Sequence, residues 1–261
     1  MEKLKLTAVN YLNTKPFLYG IFQTGLDDRI EISKDIPSVC AQKLVDGEVD
    51  IALIPVAALR DLKNHFIVSD FCIGCDGLVH TVCLYSNTPI WEVKTIYLDT
   101  HSRTSAALTR ILVKELWNNP DVVYQPVQQA NDIVLEEDAA VLAIGDKTIG
   151  MDKKFRYTYD LGEAWKAHTG LPFIFAAWVA TKKLDPAFIL EFNKALAKGL
   201  SLIDELTFIL PESKTSFDLK TYFEKYISYD LDDKKKEALR LFLSKIDQTT
   251  HPDDAIRPVF A

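Results

Sequence analysis

The stretch PSVCAQKLVDGEVDIALIPV (37–56) packs a complete structural unit into one segment. Pro37 stands where a helix begins and Gly47 where it ends, the usual placement of these two residues. The run DIALIPV (50–56) that follows is short and continuously apolar, as in a strand covered on both faces. A helix leading into such a strand is the building block of a parallel α/β sheet. Upstream, Leu4–Val9 alternates as a strand, Pro16–Gln23 reads as a short helix, and Arg29–Ile36 alternates again with Ile30, Ile32 and Ile36 among charges. Strand and helix therefore alternate through the first third of the chain, which predicts a mainly parallel sheet.

The middle of the chain repeats this logic. Thr95–Asp99 and Ala139–Ile144 read as strands, as does Asp121–Val127. The segment 102–117 is a helix with Leu108, Leu112 and Leu116 at four-residue spacing. GEAWKAHTG (162–170) is a short helix, and Phe173–Thr181 a strongly apolar strand. Beyond it the pattern is helical throughout: Pro186–Leu206, Leu219–Ser228 and Asp233–Ile246, with no strand. Two α/β halves and a helical tail predict a discontinuous first lobe, residues 1–87 plus 176–261, and a second lobe, 88–175. The chain would cross near Ser86–Thr88 and again near Pro172–Phe175. Two such crossovers form a hinge, and the cleft between lobes is a favoured place for a small ligand.

Composition narrows the partners. The 261 residues are 48% hydrophobic and 26% charged, an ordinary globular mixture, with a net charge of -7. That charge argues against nucleic acid or an anionic membrane surface as a partner. No apolar run has the length of a membrane span. The beginning, MEKLKLTAVNY, alternates like a strand and lacks the apolar stretch of a signal peptide. A cytoplasmic location with four reduced cysteines is expected.

Several segments carry candidate chemistry. AVNYLNTKPF (8–17) places Asn10, Tyr11, Asn13 and Thr14 directly after the first strand, more hydrogen-bonding side chains than a turn needs. They form one wall of a polar site. Cys72, Cys75, His80 and Cys83 have a zinc-like spacing. Strand alternation over 79–86 nevertheless puts Val79, Thr81, Cys83 and Tyr85 on one face and His80 on the other, so no metal is expected. The pair Cys72/Cys75 precedes a turn rather than opening a helix, and reads as small buried residues. The glycines form neither dinucleotide nor P-loop motifs, so no cofactor is expected. LDTHSRTSAAL (98–108) ends a strand at Asp99 and opens a helix near Ser102. The free N–H groups of that first turn, with Ser102, Arg103, Thr104 and Ser105, can hold a carboxylate or phosphate. Plain capping by Ser102 with a solvent-facing Arg103 is the other reading. Ser38, just inside the helix after Pro37, is likewise cap or ligand contact. Gly145 and Asp146 in AIGDKT (143–148) follow a strand end, where ligand contacts gather, although a tight turn would use the same residues.

In their order along the chain, these segments resemble the chorismate dehydratases of menaquinone biosynthesis by the futalosine route. The resemblance rests on YLNTKP (11–16), PSVCAQKLVDGEVDIALIP (37–55), CIGCDGLVHTVCLYS (72–86), LDTHSRTSAALTRILV (98–113) and AIGDKTI (143–149). It continues through DLGEAWKAHTGLPFIFAAW (160–178) and YISYDLDDKKKEALRLFL (226–243). It implies a two-lobed type II periplasmic-binding-protein-like fold used for catalysis in the cytoplasm, with chorismate, a small dicarboxylate, as substrate and no cofactor. The products would be 3-[(1-carboxyvinyl)oxy]benzoate and water. The resemblance carries Asn13 as the key catalytic residue, with Tyr11 and its neighbours beside it. It puts the carboxylate-binding hydroxyl on Thr81, and a second carboxylate on Ser102–Ser105. The sister enzyme, 1,4-dihydroxy-6-naphthoate synthase, shares the fold, but its first loop follows S-P-C-P-N-D rather than YLNTKP. A cytoplasmic anion binder without chemistry is the remaining alternative.

Overall fold

In the computed structural model, residues 3–128, 130, 133–210, 217–250 and 259–260 are described. Strands β1 (Leu4–Val9), β2 (Ile30–Asp35), β3 (Ile51–Pro55) and β4 (Phe66–Cys75) alternate with helices α1 (Lys15–Gln23) and α2 (Pro37–Val45). The second region holds β5 (Val82–Ser86), β6 (Thr95–Asp99), α3 (Arg103–Glu115), β7 (Val123–Val127), β8 (Ala139–Ile144), β9 (Tyr157–Asp160) and α4 (Leu161–Thr169). The chain returns through β10 (Phe173–Ala180) to α5 (Pro186–Leu200), α6 (Ile203–Ile209), α7 (Leu219–Thr221), β11 (Ser228–Asp230) and α8 (Asp233–Thr250).

Two sheets result, in the orders β11-β4-β10-β3-β1-β2 and β7-β6-β8-β5-β9. They are mixed rather than mainly parallel. β1 runs parallel to β2 and β3, but β10 enters antiparallel between β3 and β4. In the second sheet β6 pairs parallel with β7 and β8, while β5 pairs antiparallel with β8 and β9. A strand that arrives from the other lobe needs no covering crossover helix, so β10 can take the direction its entry dictates.

Sheet membership corrects the first expected crossing and shifts the end of the second lobe. β5 belongs to the second sheet, so the chain passes between sheets within residues 76–81, ahead of Ser86–Thr88. Phe173–Phe175 already belong to β10 of the first sheet, so residues up to 175 do not all lie in the second lobe. The 76–81 link contains two left-handed residues, Gly77 (φ 107°) and His80 (φ 62°), which turn the chain before β5 starts. That break also corrects the face assignment over 79–86, because alternation begins only at Val82.

The tail departs from expectation twice. Its long first helix is two, α5 and α6, separated at Ser201–Leu202. The expected helix 219–228 is a short α7, a π-helical turn over Tyr222–Tyr226 and the strand β11 at the edge of the first sheet. α5 packs on that sheet through Phe192 against Trp178, ring centroids 5.2 Å apart. It also meets α1 backbone to backbone. A Cβ on Gly20 would lie 2.0 Å from the Ala195 carbonyl oxygen, and one on Gly199 1.9 Å from that of Pro16. α8 joins both lobes: Phe242 lies edge-on to Phe173 of β10 (5.0 Å) and Trp165 of α4 (6.1 Å). Lys245 Nζ reaches Glu115 of α3 at 2.5 Å.

Candidate functional site

A cleft between the sheets encloses about 540 Å³ of empty space, part of it open to solvent. Its floor is apolar, from Leu53 and Pro55 at the end of β3, Ile73 of β4, and Phe175 and Ala176 of β10. Polar atoms enter from three directions. The loop after β1 contributes Tyr11, Asn13 and Thr14; the link before β5 contributes Thr81; the first turn of α3 contributes Ser102 and Ser105. No charged residue is among the described residues lining it.

Asn13 lies in a single helical turn, Leu12–Thr14, that follows the N-terminal strand. Its carbonyl accepts a hydrogen bond from the Tyr229 hydroxyl at 3.0 Å, and its Oδ1 one from Thr14 Oγ1 at 3.3 Å. Both ends of the residue are therefore fixed. The buried Thr81 hydroxyl is 3.0 Å from that of Tyr222 and 3.4 Å from the Val79 carbonyl.

Ser102 is both a helix cap and a residue of the cleft wall. Its Oγ accepts the Ser105 N–H at 3.1 Å, a normal cap, and it also lines the cleft. It donates to Ser105 Oγ at 2.8 Å. Ser105 then accepts from its neighbour and keeps its own proton available to a ligand.

Arg103 and Thr104 point elsewhere. Arg103 pairs with Asp61 of the first lobe in a half-exposed contact, and Thr104 Oγ1 accepts the Ala57 N–H at 3.1 Å. Successive residues of a helix diverge by roughly 100°, so one turn cannot aim four neighbouring side chains into one space. These two residues clasp the lobes and leave the cleft without an arginine. Ser38 is half-buried and absent from the lining, which Pro37 reaches instead.

Gly145 and Asp146 divide similarly. Gly145 lines the cleft with φ 67°, and a Cβ there would meet the Tyr11 ring at 3.1 Å. The aromatic ring lies close over its backbone, and the left-handed φ disfavours a side chain there. Asp146 lies outside the lining and accepts the Leu12 N–H at 3.1 Å, joining the second lobe to the first-strand loop. Burial raises its pKa, opposed by that N–H and by Lys15.

The Tyr11 hydroxyl is buried and has no hydrogen-bond partner among the described residues. Burial first, then the charges of Asp99 and Asp146, push its pKa well up, so the phenol stays a neutral donor.

The cysteines behave as small buried residues. Burial lifts Cys40 to about 11 and Cys72 to about 12, and raises Cys75 and Cys83 as well. His80 and Cys83 do share a side, contrary to the alternation argument: both line a second hollow in the second lobe. Even so, no group of three or more His, Cys, Asp and Glu among the described residues could hold a metal ion.

Sequence reasoning missed Tyr222 and Tyr229. They arrive from a part of the chain whose aromatic pattern reads as a helix core, and no motif marks them.

Two α/β lobes around a cleft, joined by two crossings, β4 to β5 and α4 to β10, define a protein of the periplasmic-binding-protein fold. A solved Archaeoglobus fulgidus protein superimposes with a TM-score of 0.71 at 16% identity, over 95% of this chain and 97% of that one. A Candida albicans protein described as having the generic periplasmic binding protein structural fold gives 0.61 at 12% identity, over 95% and 89%. The particular family follows from sequence: the menaquinone biosynthesis family model matches residues 4–248, and this chain belongs to that family. Similar curated proteins include the chorismate dehydratase of Thermus thermophilus, 26% identical over 79% of this chain and 81% of the relative. The chorismate dehydratase of Campylobacter jejuni is 24% identical over 90% and 94%. No described helix is long and apolar enough to cross a membrane.

Proposed function

We propose that this chain is a chorismate dehydratase, converting chorismate to 3-[(1-carboxyvinyl)oxy]benzoate and water. One observation carries the reading: uncharged polar side chains of both lobes, Asn13, Thr81, Ser102 and Ser105, converge on an apolar cleft. Membership of the menaquinone biosynthesis family and similarity to two chorismate dehydratases support it.

The reaction removes the proton at ring C3 and hydroxide at C4. The electron pair left at C3 delocalises through the adjoining double bond onto the ring carboxylate, and loss of the C4 oxygen then makes the ring aromatic. The barrier lies in forming that charge, so donors preset around the carboxylate lower it most. Thr81 and Ser105 suit that task, Ser105 being oriented by the hydrogen bond it accepts from Ser102, while Leu53, Ile73 and Phe175 offer the ring an apolar bed. Asn13 is the proposed catalytic residue, since its side chain is held by Thr14 at the mouth of the first-strand loop. The described lining includes no carboxylate, histidine or lysine to take the C3 proton. The substrate's own enolpyruvyl carboxylate, folded over the ring, can take it instead, and a snug cleft enforces that fold.

The test is incubation of the purified chain with chorismate, following the benzoate ether by chromatography, beside a parallel incubation with the cyclic futalosine derivative used by the sister enzyme. Formation of the ether from chorismate is expected. Unchanged chorismate would leave a binder, and cleavage of the second substrate would make the chain a naphthoate synthase. Asn13→Ala should reduce turnover by about 100-fold or more with little loss of folding, in line with removal of a charge-stabilising donor. Near-normal turnover would remove Asn13 from the mechanism.

A further inference from the structure

Tyr222 does not line the cleft, yet it links the two side chains on which the proposed chemistry depends. It is fully buried, with its ring packed on Phe217 (5.2 Å) and Phe223 (5.6 Å). Its hydroxyl lies 3.0 Å from Thr81 Oγ1, and the Asn13 side chain is a second polar neighbour that opposes the rise in its pKa caused by burial. The residues concerned are 68 and 141 positions apart in sequence, so only the tertiary fold brings them together.

The backbone under Tyr222 is itself unusual. It opens the π-helical turn Tyr222–Tyr226, between α7 and the edge strand β11. Such wide turns insert an extra residue and re-aim side chains, and they gather at functional sites.

We propose that Tyr222 is a positioning residue whose phenol joins Asn13 to Thr81 and holds both side chains in their working orientation. The direction of the hydrogen bonds follows from their chemistry. Thr14 donates to Asn13 Oδ1, which turns the amide nitrogen towards Tyr222. The phenol oxygen accepts from that amide and sends its own proton to Thr81 Oγ1. Thr81 in turn donates to the Val79 carbonyl, 3.4 Å away, a long bond that a ligand carboxylate can replace while the phenol holds Oγ1 in place.

The consequence for turnover rests on the dehydratase reading, but the positioning itself does not. Tyr222→Phe keeps the ring and deletes the link. Its kcat for chorismate should fall by about 10- to 100-fold, the scale of a small misplacement of catalytic groups, with KM changed less. In a Thr81→Ala background the same substitution should cost less than it does alone, because the Thr81 contact is already gone and only the Asn13 one remains to lose. A crystal structure of Tyr222→Phe should show Thr81 Oγ1 or the Asn13 amide displaced. As a measurement that does not depend on that variant folding, the fluorine resonance of 3-fluorotyrosine placed at 222 should shift when Thr81 becomes Ala. Unmoved Asn13 and Thr81 side chains, fully additive kinetic losses, or an unshifted resonance would each overturn the proposal. If the unsubstituted chain makes no benzoate ether, the dehydratase reading fails on its own, and the crystallographic and fluorine arms still decide the role of Tyr222.

Discussion

Tyr11→Phe separates what a cleft costs the fold from what it gives a ligand. The substitution removes one oxygen and leaves the ring over Gly145. That oxygen is buried without a hydrogen-bond partner among the described residues. An unsatisfied buried hydroxyl costs about 1–3 kcal/mol. Removing it should therefore stabilise the ligand-free protein, and about 2–4 °C per kcal/mol for a chain near this size gives a rise of a few degrees in the melting midpoint. Binding should move the other way. In the complex the phenol, kept neutral by burial, can donate to a carboxylate or hydroxyl of the ligand. Loss of a hydrogen bond to a charged group is worth about 1.5–3 kcal/mol, roughly 10- to 100-fold in affinity. Differential scanning calorimetry without ligand and a chorismate titration on the same samples read the two effects. A lower melting midpoint, or affinity within twofold of the unsubstituted chain, would refute the view that this hydroxyl is held in reserve for substrate.

Three further outcomes follow from the site's geometry. Ser105→Ala should reduce turnover of chorismate by about 10-fold or more, whereas Arg103→Ala, whose side chain faces Asp61, should change it less than about threefold; steady-state kinetics on both variants compares them. Burial raises the pKa of Asp146, so its protonation favours the folded state: that contribution is complete below the ordinary carboxylate value of about 4 and is lost as pH rises through the raised value. Asp146→Asn keeps an acceptor for Leu12 and should melt higher than the unsubstituted chain at pH 7, with the gap closing towards pH 4; parallel melting curves across that range that stay equally spaced would contradict it. All four cysteines are buried with raised pKa values, so iodoacetamide at pH 8 should label none in the native protein and all four after unfolding, as counted by mass spectrometry.

Much of the site was legible in sequence because its parts are local. Asn13 follows the first strand within a few residues, and Ser102 caps a helix whose start is written in the residues around it. Thr81 could be placed only through its resemblance to a family segment. The errors arose where a local pattern leaves direction open. A helix start shows which residues share the first turn but not which of them a neighbouring lobe will claim, and Arg103 and Thr104 went to Asp61 and Ala57. Alternation over 79–86 suggested a face for His80, but the left-handed backbone at that residue interrupts it.

By itself the sequence determined the alternation of strands and helices from β1 to β3 and from β6 to β8, the apolar character of β3, β8 and β10, and the absence of charge runs that would suit nucleic acid, since propensity and periodicity act over a few residues. Only tertiary structure decided that β5 joins the second sheet, that β10 enters the first one antiparallel, and that Tyr222 reaches Thr81 from the far end of the chain. Those outcomes depend on which surfaces bury one another, and burial is a property of the whole fold rather than of any short segment.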